Sequence, residues 1–194
     1  MNDKKKISVL IVEDDNDFQY LIRRTIEQEN DMETAGCCAA PDEALEQAVS
    51  RRPDIVLVDL SLTGSPSDGM EVSRQIRLKT DSRVLILTSF ENPDTVIQAA
   101  VRGLAHGYIF KSQFEMLVET IRKTAGGITP QQYMIRSLIL SCLSAAEHSV
   151  FEMMLGKEVS LQSSPKTIAN QKTMILKKLD IPSQNDLIHI FGSQ

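Results

Sequence analysis

Asp54-Ile-Val-Leu-Val-Asp59 is a run of β-branched and apolar residues bounded by two carboxylates, and it sets the fold around it. Four consecutive apolar residues without alternation read as a strand buried on both faces, which parallel sheets require. Extended by one residue past Asp59, that strand is expected over Ile55–Leu60. The same signature recurs upstream in Ile7–Val12, which runs directly into Glu13, Asp14 and Asp15. It recurs downstream in Val84–Thr88 and in Tyr108–Phe110, the latter followed at once by Lys111. Met32–Cys37 is a weaker fifth strand.

Amphipathic stretches separate these runs. Asp17–Gln28 carries Phe18, Leu21, Ile22 and Ile26 at helical spacing. Pro41-Asp42-Glu43 opens a helix to about Ser50, with proline near its start. Gly69–Lys79, Pro93–Val101 and Phe114–Thr124 complete the set. Strands alternating with helices predict an α/β fold, a doubly wound five-stranded parallel sheet. Ligands of such sheets collect at the carboxyl ends of the strands. Glu13, Asp14, Asp59, Thr88 and Lys111 all fall at those ends.

After Ala125-Gly126-Gly127 the alternation stops. Ser144–Leu155, Lys166–Leu179 and Ser183–Phe191 read as helices with no strand between them, a small all-α domain. The expected division is 1–125, a linker over 126–142 that ends in a helix, and 143–194.

The 194 residues are 42% apolar and 24% charged, ordinary for a folded protein of one medium and one small domain. No apolar run approaches the roughly 18 residues that a membrane span needs. The first apolar stretch is interrupted by acids, unlike a secretory signal, so a cytoplasmic location is expected. Cys37, Cys38 and Cys142 lack metal-site spacing and suit a reducing compartment. Residues 1–125 hold 15 basic and 21 acidic side chains, whereas 143–194 hold five of each. Within the latter, 164–179 carries Lys166, Lys172, Lys177 and Lys178 without an acid. An acidic body joined to a locally basic helix suggests two separate tasks.

Three carboxylates at one rim repel one another unless a cation joins them. Hard oxygen donors without His or Cys favour Mg2+, which binds one or two carboxylates together with a phosphate. Charge neutralisation lets a carboxylate attack a phosphoryl group to form an aspartyl-phosphate. Lys111 and the Thr88 hydroxyl are placed to hold the phosphoryl oxygens.

In order and spacing, Val9-Leu-Ile-Val-Glu-Asp-Asp15, Asp54–Asp59, Ile86-Leu-Thr-Ser89 and Gly107-Tyr-Ile-Phe-Lys111 resemble the receiver domain of bacterial two-component response regulators. The resemblance covers about residues 7–125 and implies the flavodoxin-like receiver fold. It implies that Asp59 is the phosphoacceptor, and that Glu13, Asp14, Asp59 and the Ser61 backbone carbonyl hold Mg2+. It further implies that Thr88 and Lys111 sense the phosphate, with Tyr108 as the aromatic switch. The loop Leu60–Gly69 departs from the family by about two extra residues, with Thr63 where a proline is usual.

Ser164-Pro-Lys-Thr-Ile-Ala-Asn-Gln-Lys-Thr-Met-Ile-Leu-Lys-Lys-Leu179 resembles the recognition helix of LuxR-type (NarL-like) regulators, and Leu143-Ser-Ala-Ala-Glu147 resembles their opening segment. That likeness implies a helix-turn-helix in which Lys166 and Thr167 hold phosphates and Ala169, Asn170 and Thr173 face the bases. Gln171 replaces a customary His. Between Gly156 and Ser164 the chain is about five residues shorter than the family, so the first helix of the motif is a single turn or the motif is remodelled.

The whole reads as a response regulator, phosphorylated by a histidine kinase and controlling transcription as a homodimer on double-stranded DNA. The alternative is a receiver whose C-terminal helices mediate dimerisation or protein output without DNA. An enzyme of the same fold, such as a phosphatase, is not expected, because no second acid adjoins Asp59 for general acid work.

Overall fold

The computed structural model describes residues 5–62, 64–160 and 163–192. They form two compact units, divided after Ile135.

The first unit is built on β1 (Ile7–Val12), β2 (Met32–Cys38), β3 (Ile55–Val58), β4 (Arg83–Thr88) and β5 (Gly107–Phe110). All pairings are parallel and the spatial order is β2-β1-β3-β4-β5, which puts β3 in the centre. Helices α1 (Asn16–Glu27), α2 (Pro41–Arg51), α3 (Pro66–Lys79), α4 (Pro93–Arg102) and α5 (Leu117–Gly126) connect or close these strands. Val9 and Ile11 pack with Ile22 and Ile26 of α1 and with Leu117 and Ile121 of α5. Leu10 and Val12, alternating with them, pack with Ala44 and Ala48 of α2 and with Val72 and Ile76 of α3. Both faces are therefore dry, which explains the unbroken apolar runs.

Several element ends differ from the sequence expectation. Asp59 stands just beyond β3, which ends at Val58 rather than Leu60. Helix α3 starts at Pro66, because Ser65 accepts a hydrogen bond from the Ser67 amide and proline occupies the first turn. Lys111–Met116 is a 3-10 turn, so Phe114 precedes α5 instead of opening it. Cys38 is buried in β2, where burial pushes its thiol up to about 12.

Both sheet edges are capped by side chains. On β5, the Gln131 carboxamide accepts from the Tyr108 amide at 3.2 Å and donates to its carbonyl at 3.1 Å. A Cβ on Gly107 would stand 2.7 Å from the Gln131 Oε1, so glycine makes this approach possible. On β2, Gln47 donates to the Cys37 carbonyl and Arg51 to that of Ala35. Gln131 belongs to α6 (Pro130–Leu140), within the stretch expected to be a linker that ends in a helix.

The second unit contains α7 (Ala145–Met154), α8 (Pro165–Leu179) and α9 (Gln184–Phe191). Its core joins Val150, Phe151 and Met154 to Ile175, Leu179, Leu187, Ile190 and Phe191, with Phe151 and Phe191 meeting edge to face. Ser144 and Glu147 form a reciprocal capping box at the start of α7. The Glu147 carboxylate also accepts from Lys178 Nζ at 2.7 Å, tying this cap to the last turn of α8.

Lys178 and the Ser144 amide hold the Glu147 carboxyl down at about 2, below its ordinary 4.5. The stabilisation this gives is complete above pH about 4.5 and is lost as pH falls towards about 2. Glu147→Gln is therefore expected to lower the stability of the second unit at neutral pH and to flatten its pH dependence across that window. Helical circular dichroism during urea titration at several pH values measures both effects.

Candidate functional site

Strand order brings the polar ends of β1, β3, β4 and β5 to one rim. Asp59 leaves central β3 buried, 6% exposed, and Glu13 leaves β1 at 2%. Lys111, the first residue after β5, donates to Asp59 Oδ2 at 2.9 Å and pairs with Glu13 Oε2 at 2.7 Å. Asp14 is exposed beside them, and carboxylate oxygens of Glu13, Asp14 and Asp59 lie within 4.8 Å of one another. Asp59 Oδ1 is buried and accepts no hydrogen bond.

Electrostatics follow this crowding. Burial, reinforced by the charge of Asp59, raises the Glu13 carboxyl above its ordinary value, although Lys111 opposes the rise. Burial alone would pull the Lys111 ammonium down, but its bonds to Glu13 and Asp59 outweigh that and leave it raised. A buried acceptor without a donor, amid hard oxygen ligands, can take a divalent cation.

The remaining expected residues surround this centre. Thr88 ends β4 fully buried, its hydroxyl accepting from the Phe90 amide at 3.4 Å. Tyr108 is buried, donates its hydroxyl to the Phe90 carbonyl at 2.8 Å and stands edge-on to Phe110. Burial, with the charges of Asp59 and Glu91, pushes the Tyr108 phenol up. Ser61 is half-buried in the loop after β3, and Thr63 lies outside the described residues. Gly69 closes that loop by donating its amide to the Leu60 carbonyl at 3.2 Å.

Helix α1 is also built into the rim. Asp15 caps it, accepting from the Asp17 and Phe18 amides, while its own amide donates to Glu13 Oε1. The ring of Phe18, read in the sequence as an ordinary core-facing position, stands 4.4 Å from Lys111 Nζ.

In the second unit, Lys166, Thr167, Ala169, Asn170 and Thr173 lie exposed on α8, with Gln171 half-buried. Thr167 engages the helix cap, its amide donating to Ser164 Oγ at 3.2 Å and its hydroxyl standing 2.9 Å from the same oxygen. Thr173 donates its hydroxyl to the Ala169 carbonyl. Among the described residues between α7 and α8, 155–160 and 163–164, none is helical. Leu161 and Gln162 lie outside the described residues.

The profile of the response regulator receiver domain matches residues 9–122, more than half of the chain. The chain belongs to that family, and it is a two-component response regulator of the transcription-controlling kind. It is 26% identical over 194 residues to the transcriptional regulatory protein DesR of Bacillus subtilis, covering 94% of each chain. It is 28% identical to the transcriptional regulatory protein LiaR of the same organism, covering 90% of this chain and 92% of LiaR. Among solved structures, a LuxR-family DNA-binding response regulator from Staphylococcus aureus superposes with a TM-score of 0.56 at 29% identity, covering 61% of this chain and 98% of that one.

The contact between Gly69 and the strand end offers a direct test of how tightly the site is packed. A Cβ there would stand 2.3 Å from the Asp59 carbonyl oxygen and 2.4 Å from Leu60 Cα, both backbone atoms. Gly69→Ala is expected to cost about 1–3 kcal/mol of stability by shifting the chain under Asp59. Gly126→Ala, whose Cβ would meet nothing within 4 Å, serves as the control in the same urea titration.

Proposed function

We propose that Asp59 accepts a phosphoryl group from a histidine kinase and that the C-terminal helices convert this event into DNA binding. One observation carries the reading. Asp59 has one oxygen held by Lys111 and the other buried without a donor, next to two further carboxylates.

In the reaction, an Asp59 carboxylate oxygen forms a bond to phosphorus while the P–N bond of the kinase phosphohistidine breaks. The electron pair returns to the imidazole, which takes up a proton. Lys111 follows the developing charge on the phosphoryl oxygens and Thr88 donates its hydroxyl to them. Glu13, Asp14, Asp59 and the Ser61 carbonyl would hold Mg2+, which when bound neutralises the carboxylates that otherwise repel the incoming group.

Tyr108 and Thr88 contact the same segment through Phe90, so modification of Asp59 repacks this strand end and its surface. That change favours a homodimer able to span paired half-sites on double-stranded DNA. Lys166 and Thr167 hold phosphates, and Asn170 reads a base edge with Ala169 and Thr173 beside it. The segment between α7 and α8, non-helical in its described residues, favours a second reading in which these helices dock on a protein instead.

Two measurements separate the readings. Acetyl phosphate with Mg2+ is expected to label the protein, and Asp59→Asn to abolish the label; persistence of the label would exclude Asp59. Binding to duplex DNA is expected to weaken steeply with salt, and Lys166→Ala to reduce the slope of log affinity against log salt by about one. DNA affinity that neither Lys166→Ala nor Asn170→Ala changes would favour protein output.

A further inference from the structure

We propose that Phe18 is a positioning residue for the phosphoryl-transfer site, holding the Lys111 ammonium against its ring face; this rests on the reading of Asp59 as phosphoacceptor. Lys111 Nζ has three partners, Glu13 Oε2, Asp59 Oδ2 and the Phe18 ring at 4.4 Å to its centroid. A cation over an aromatic face is attracted by the ring quadrupole, and more strongly where water is excluded. Lys111 is such a case, with only 16% of its side chain exposed.

The ring is fixed from two sides. Its backbone amide donates to the Asp15 cap at 3.0 Å. Its plane meets Phe114 edge-on at 5.4 Å, and both rings pack on the core under β1 and α5.

The chemistry explains why a ring suits this place. When Asp59 is phosphorylated its carboxylate is consumed, and Lys111 must leave Asp59 Oδ2 for a phosphoryl oxygen. A third carboxylate beside Lys111 would add to the repulsion among Glu13, Asp14 and Asp59 and would compete for a metal ion. A hydroxyl or amide would pull the ammonium along one fixed direction. The ring face attracts the cation without lone pairs that bind metal, and it tolerates a shift of an ångström across its surface. Phe18 thus keeps the ammonium at the rim in both states.

The test compares Phe18→Leu, which keeps apolar packing, with Phe18→Tyr, which keeps the ring. Phosphorylation of Asp59 by acetyl phosphate is expected to slow about three- to tenfold in Phe18→Leu and to recover in Phe18→Tyr. Independently of labelling, the Lys111 ε-methylene protons should show an upfield ring-current shift in the wild type. That shift should vanish in Phe18→Leu and persist in Phe18→Tyr, with thermal unfolding verifying that both variants are folded. Equal labelling rates in Phe18→Leu and wild type, or an unchanged Lys111 shift in Phe18→Leu, would overturn the proposal alone. Wild-type protein that takes no phosphate on Asp59 would overturn the phosphoacceptor reading and this one with it, even with the ring-current shift present.

Discussion

Repulsion among Glu13, Asp14 and Asp59 is the constraint around which the rim of the first unit is arranged. The carboxylates come from the ends of adjacent strands β1 and β3, so they cannot separate without unpairing the sheet. Lys111 offsets part of this charge by bridging Glu13 and Asp59, yet the Glu13 carboxyl stays above its ordinary value. The site is held in an electrostatically unfinished state, which suits it to cation and phosphoryl ligands. Neighbouring elements are fitted to this centre. Helix α1 starts at a cap hydrogen-bonded to Glu13, and Gly69 lets α3 approach the backbone of Asp59.

The fold and the acidic centre were legible because both depend on residue order. Strands buried on two faces must be continuously apolar, so Ile7–Val12 and Ile55–Val58 announce themselves. Parallel connections then carry every strand end to the same rim, where the acids, Thr88 and Lys111 were expected. Phe18 was hidden for a physical reason. It sits four residues before Ile22 on α1, and helical spacing alone gives a ring over an ammonium the same pattern as a core contact. Gln131 was hidden because a polar side chain in the first turn of a helix carries no periodic signal. The early start of α3, by contrast, was written in Ser65-Pro66, a cap followed by a proline.

In the second unit, charge counting and geometry part company. Four lysines without an acid make 164–179 locally basic in the sequence, but Lys178 is committed to the Glu147 capping box. The threonines expected to meet DNA also have local partners. Thr167 engages the cap of α8 and Thr173 the Ala169 carbonyl. Thr173, its proton given to Ala169, keeps lone pairs for a base amino group, whereas the Thr167 hydroxyl can donate to a phosphate when Ser164 is the donor of their pair. Lys166, Ala169 and Asn170 remain exposed on the first two turns of α8, whose buried residues, Ile175 and Leu179, come later in the helix. The end of α8 is the anchored part and its beginning is the presented part.

The sheet edges limit how any homodimer can form. An open parallel sheet offers two edge strands, each a template for adding a strand from another molecule. In β5 only alternate residues face outward, and one of them, Tyr108, has both its amide and its carbonyl bonded to Gln131. On β2 the outward carbonyls of Ala35 and Cys37 are bonded to Arg51 and Gln47 of α2. Strand addition at either edge must first break these exposed or half-buried side-chain hydrogen bonds, a net loss of about 0.5–1.5 kcal/mol each. Association through helix surfaces carries no such penalty. The short strand β5 is therefore better suited to carry Tyr108 within the unit than to join two copies of it.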